Sequence, residues 1–202
     1  MSLDLIYFIT TCKMDIPYSN QYKYISSIPL DEVKHYYSID STHHMADQKF
    51  IKSITNKTNF FFYTLKNLPS LTFWGVKLEA LSEDSCTVAT KYSFRNTNPF
   101  KSMYFAALCG SGELATGLLV MAHVSDRGKW SMLVTSFQAN FFKKATGKIR
   151  FHCNEGARLS EKLTEIEQSA ESTGTIFLKC NAINQEGIEV AAFEVTWSLK
   201  VK

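Results

Sequence analysis

The chain has 202 residues, 45% of them hydrophobic and 13% aromatic, including 15 Phe. That is enough apolar material for one domain with a sizeable core and room for an extension. With 22 basic against 19 acidic residues the net charge is only +3, weak evidence for a polyanionic partner, so no nucleic acid is expected.

Five cysteines, Cys12, Cys86, Cys109, Cys153 and Cys180, lie far apart, with no CxxC pair and no Cys/His spacing suited to zinc. Most sit inside apolar patterns, which predicts small buried thiols in a reducing, cytoplasmic setting, with no metal and no cofactor. The N-terminal MSLDLIYFITTCK lacks a basic lead and carries Asp4, a poor signal peptide.

Residues 1–46 show no sustained period and read as a weakly defined N-terminal extension; residues 47–202 read as a single domain. His43 and His44 lie in a loop-like stretch without ligand partners. Met45 opens a segment that resembles a natural start, so the extension is expected to lie upstream of it. From Asp47, a plausible cap, the spacing of Phe50, Ile54, Phe61, Leu65 and Leu68 predicts a helix that stops at Pro69. Two strands follow, over residues 72–81 and 85–96. In the second, Cys86, Val88, Thr90, Tyr92 and Phe94 share one side.

A long apolar helix is predicted over residues 102–123. After the turn at Asp126-Arg127-Gly128 come a long strand, a turn at Thr146-Gly147, and a strand carrying Ile149, Phe151 and Cys153 on one face. Residues 157–171 have the spacing of a short amphipathic helix. The chain closes with a hairpin turning at Gln185-Glu186-Gly187. A helix apolar all round needs cover on every side, and the economical arrangement is α+β, an antiparallel sheet curling around it.

The central segment, NPFKSMYFAALCGSGELATGLLVM, holds the candidate site. Between Ser102 and Ser125 the single Asp, Glu, Lys or Arg is Glu113. A carboxylate near mid-bilayer costs about 2.5–3.5 kcal/mol, so a membrane span is not expected, and no membrane is expected as a partner. Each helical Gly costs about 1 kcal/mol relative to Ala, so Gly110, Gly112 and Gly117 imply close approach of a backbone or a ligand. Ala106, Gly110, Glu113 and Gly117 share a face. Glu113 on that strip is either a base with a raised pKa, or a structural acid that pairs with Arg95 or Lys101 or hydrogen-bonds a neighbouring backbone. Asn98-Pro99 fixes the chain before the helix. The first-turn amides around Met103, Tyr104 and Phe105 offer a positive end to a developing oxyanion.

This motif, with SFRNTNPF, SMLVTSFQANFFKKATGKI and EVTWSLK, resembles the hot-dog fold. Over roughly residues 48–202 the chain is most similar to a bacterial family of unassigned function grouped with acyl-CoA thioesterases of the phenylacetyl-CoA type. The resemblance implies hydrolysis of an acyl-CoA or acyl-carrier thioester by a homodimer, or a tetramer, with sites shared across the interface. It assigns Glu113 as general base or nucleophile, Asn98 as the group that orients carbonyl or water, and the helix-start amides as oxyanion hole. The acyl chain would lie beside the strip from Gly110 to Gly117. Tyr104, Phe105 and Ala106 stand where related enzymes carry His-Gly-Gly or a similar glycine pair, which narrows the approach. Lys143, Lys144, Lys148 and Arg150 are candidate contacts for coenzyme A phosphates, or else a solvated hairpin face. Two other readings stay open, a non-catalytic acyl- or lipid-binding module and a hydratase using His123 or His152. His123 lies ten residues beyond Glu113, about 15 Å along the helix, too far for a same-chain pair.

Overall fold

A computed structural model describes residues 46–202. Cys12, the His43-His44 pair and the candidate start at Met45 lie outside the described residues. Three helices open the domain. In α1 (Gln48–Thr55) the Asp47 carboxylate accepts from the amides of Lys49 and Phe50 at 2.8 and 3.1 Å, satisfying two orphan donors. The single helix expected up to Pro69 is broken at Asn56, whose backbone is extended. Its side chain accepts from Thr58 and Asn59 N–H, starting α2 (Lys57–Asn67) afresh.

Pro69 does not stop the helical run but starts α3 (Pro69–Trp74), since its missing N–H is harmless at the first helical position. Residues 72–74, expected to be strand, are therefore helical, and Thr72 donates to Thr64 Oγ1 of α2 at 2.8 Å. Gly75, at φ 77°, closes α3 in the left-handed conformation.

Next come β1 (Lys77–Leu81) and β2 (Cys86–Lys91). The second strand ends earlier than its alternation predicts. Asn96 accepts from Ser93 N–H and donates to the carbonyls of Lys91 and Trp74, and this folds residues 92–96 into a turn. Cys86, Val88 and Thr90 do face the core, whereas Phe94 is 85% exposed.

The central helix α4 (Phe105–Val124) starts three residues later than expected and is followed by β3 (Trp130–Phe141), β4 (Lys148–Cys153), α5 (Gly156–Gln168), β5 (Thr173–Ile183) and β6 (Glu189–Val201). The strands form one antiparallel sheet in the order β1-β2-β4-β5-β6-β3. The predicted C-terminal hairpin is the β5–β6 pair.

By length and composition α4 is long and apolar enough to cross a membrane, yet 67% of its apolar window is buried within the fold. It packs across β2, β4, β5 and β6. Against it stand Val88, Ile149, Phe151, Leu178, Val195 and Leu199, all fully buried. Burying one such side chain contributes about 1.5–3 kcal/mol, so the sheet and α4 stabilise each other.

Three core thiols lie on neighbouring strands, with Cys86 opposite Cys153 in register. Burial pushes the Cys86 thiol up, and that of Cys153 to about 12, which keeps both protonated and unreactive.

Glu113 and the start of the central helix

Asn98 organises the turn that leads into α4. Its Oδ1 accepts from Phe100 N at 2.9 Å and Ser102 N at 3.2 Å, and its Nδ2 donates to Ser102 Oγ and to the Met103 carbonyl. Both ends of the amide are therefore occupied, and no donor is left over to point at a ligand.

The amides expected to be free are partly consumed as well. Met103 N donates to Ala145 O at 2.9 Å and Tyr104 N to Asn96 O at 2.7 Å. Tyr104 is the extended N-cap residue and provides no side-chain cap. In the first turn of α4 the donors left without a partner among the described residues are those of Phe105 and Ala106, so of the three amides expected to be free that of Phe105 remains. The Tyr104 and Phe105 rings stack edge to face at 5.0 Å, half exposed over this end.

Glu113 is half-buried on α4, with no hydrogen bond or ion pair from its carboxylate among the described residues. Neither alternative partner engages it: Arg95 lies against Gly75, and Lys101 is exposed. Burial away from water raises its pKa. Tyr63 of α2 donates to Met121 Sδ at 3.3 Å, and its phenol is pushed up by burial and then by the nearby Glu113 charge. Beneath, Trp197 of β6 donates to Thr116 Oγ1 and Thr116 donates to the Glu113 carbonyl. Tyr63 was not legible as a neighbour, since its helix is short and its apolar residues cover most of its faces.

The glycines of α4 are explained by close packing within the chain. A Cβ at Gly110 would lie 3.1 Å from Leu71 and Trp74, one at Gly112 2.7 Å from Phe193, and one at Gly117 3.3 Å from Trp197 and 3.6 Å from Glu113 Oε1. The strip from Gly110 to Gly117, expected to lie beside an acyl chain, is thus overlain by side chains of α3 and β6. Two surface grooves of about 330 and 430 Å³ occur elsewhere, one between α5 and β5, the other around His152, Lys179 and Glu189; neither borders Glu113.

The four cations of the β3–β4 region divide. Lys148 and Arg150 both pair with Glu79 of β1, Arg150 at 2.7 Å. Lys143 and Lys144 are exposed without a carboxylate partner among the described residues, and Lys144 Nζ donates to Phe100 O at 3.3 Å. Neither histidine considered as a catalytic partner faces Glu113. The His123 ring donates from Nε2 to Glu83 O at 2.8 Å, and His152 meets Thr87 on the sheet at 2.8 Å. Among the described residues no group of three His, Cys, Asp or Glu is placed to hold a metal ion.

A family model, "Domain of unknown function (DUF4442)", matches residues 63–199. The chain belongs to this family. Among solved structures it is similar to a Pseudomonas aeruginosa protein of unknown function, assigned as a probable thioesterase (TM-score 0.61, 20% identity, covering 78% of this chain and 98% of that one). It is also similar to a Haemophilus influenzae thioesterase (TM-score 0.56, 12% identity, 71% and 90% covered). A third is a Staphylococcus aureus thioesterase, solved as a Gln-to-Ala variant (TM-score 0.52, 16% identity, 65% and 98% covered). At these identities the likeness shows the fold, the hot-dog sheet around its helix. No curated protein matches the chain.

Proposed function

We propose that this DUF4442 protein is an acyl thioester hydrolase, working on acyl-CoA or an acyl carrier in the cytoplasm as a homodimer. The observation that carries the reading is Glu113: a half-buried, unpaired carboxylate on the core helix, with its pKa raised by desolvation. Such a group takes a proton from water as the water oxygen attacks the thioester carbonyl. The C–S bond then breaks and the thiolate leaves, taking up the proton. Direct attack by the carboxylate is the covalent variant.

The free amides of Phe105 and Ala106 face developing negative charge at the helix start. Glu113 follows Phe105 by eight residues, about 12 Å along the axis, so one chain does not bring both to one carbonyl. Pairing the helix start of one copy with Glu113 of a second removes that gap, which is the reason to propose a dimer. Asn98 then acts by holding the turn that presents the amides. In the Staphylococcus aureus thioesterase the two alanine variants fall at a Gln and at a Glu fifteen positions later. Asn98 and Glu113 have that separation.

A second reading, a non-catalytic acyl-binding protein, is favoured by the covered glycine strip and by the Tyr104 and Phe105 rings at the helix start. Thiol release from a panel of acyl-CoAs separates the two. Turnover supports the hydrolase, while acyl-CoA retained intact after long incubation supports the binder.

A further inference from the structure

The near-neutral balance of the whole chain hides a local asymmetry. Two loops meet where α4 begins, residues 92–104 and residues 142–147. Their backbones are joined by Met103 N to Ala145 O at 2.9 Å and Tyr92 N to Gly147 O at 2.7 Å. Residues 91–105 and 141–147 together hold Lys91, Arg95, Lys101, Lys143 and Lys144, and no Asp or Glu. All five cations are exposed, and none has a carboxylate partner among the described residues.

Among these cations project the two most exposed large apolar side chains of the described residues, Phe94 at 85% and Phe100 at 73%. Single exposed apolar residues are ordinary. Two exposed phenylalanines on segments that carry five cations and no acid are not a scattered pair. The loop also holds Lys101 at φ 57°, a left-handed conformation that a lysine adopts only under constraint. Phe100 and Lys101, neighbours in the chain, are both exposed.

A second copy placed loop to loop would set like charges against each other, and the dimer proposed above pairs the helix start with Glu113 rather than with the same loops. An anionic bilayer suits both components, with its phosphates opposite the cations and its headgroup–acyl boundary open to aromatic rings. We propose that this end of the molecule docks on an anionic phospholipid surface, with Phe94 and Phe100 entering the interface and Arg95, Lys101, Lys143 and Lys144 against lipid phosphates. The inference goes beyond the hydrolase reading and does not depend on Glu113.

Co-sedimentation of the full chain with vesicles tests it. The chain should pellet with mixed phosphatidylglycerol–phosphatidylcholine vesicles, not with phosphatidylcholine alone, and should be released by high salt. F94S/F100S and K143E/K144E should each weaken binding at least about tenfold, with thermal melting unchanged. No pelleting, equal pelleting on neutral vesicles, or parent-like binding by both variants overturns the proposal. So does tighter binding to a single-stranded oligonucleotide, or conversion of a dimer to a monomer by F94S/F100S in analytical ultracentrifugation. The last result would place the rings in a subunit interface.

Discussion

Trp197 donates its indole N–H to Thr116 Oγ1 at 3.1 Å, and Thr116 donates onward to the Glu113 carbonyl at 2.9 Å. The turn of α4 that presents the carboxylate is thereby clamped to β6. Both groups of the first bond are buried, so the bond is worth more than an exposed one and its loss leaves a polar atom without its donor. Trp197→Phe removes the donor and part of the ring above Gly117. The expected cost is about 1–3 kcal/mol, read as a Tm several degrees lower.

The close approaches at glycine predict a ranking. A Cβ at Gly156 would sit 2.1 Å from the Glu83 backbone oxygen, and one at Gly112 2.7 Å from the Phe193 ring. A ring yields more readily than a backbone turn. Gly112→Ala should cost about 1–3 kcal/mol through overpacking. Gly156→Ala should cost more, because the start of α5 and the β1–β2 turn must separate. Urea denaturation of the two variants reads this order.

His123 predicts the acid limb of the stability profile. Burial outweighs the bond to Glu83 and holds its pKa below the ordinary 6.5. Its Nε2–H is donated to the Glu83 carbonyl, and Nδ1 has no partner among the described residues. The unfolded chain therefore binds the extra proton first. The contribution is complete above about pH 6.5 and is lost as pH falls through 6.5 toward the lower folded value. His123→Gln, which can still donate to Glu83, should flatten the fall in urea midpoint across that window.

Glu113 has the opposite sign. Its folded pKa is raised above the ordinary 4.5, so stability is complete below 4.5 and declines as pH rises through the folded value. At neutral pH the ionised carboxylate works against folding. Glu113→Gln should then raise Tm at pH 7 and leave it nearly unchanged at pH 4, measured by calorimetry at both pH values. A group retained against stability is typical of a functional position.

Much of the fold is legible in the sequence, for physical reasons. Period-two patterning located the β5–β6 hairpin, because Val195, Trp197 and Leu199 turn inward together. An apolar-all-round helix implied a sheet wrapped around it. The failures came where side chains override period. Asn56 accepts two amide hydrogens and restarts a helix, Pro69 begins one, and Asn96 ends β2 so that Phe94 points to solvent. Glu113 stood out as the lone acid of α4. That Trp74 and Trp197 would fill the space over Gly110 and Gly117 depends on elements distant in sequence, and no local pattern carries it.

The rate of thioester hydrolysis by Glu113→Gln, against the parent chain under identical conditions, tests the central claim most directly. Loss of general-base catalysis predicts a fall of about 10²–10⁴-fold in kcat, with the variant folded and at least as stable as the parent at pH 7. A parent-like kcat in that stable variant would contradict the account and remove Glu113 from the chemistry.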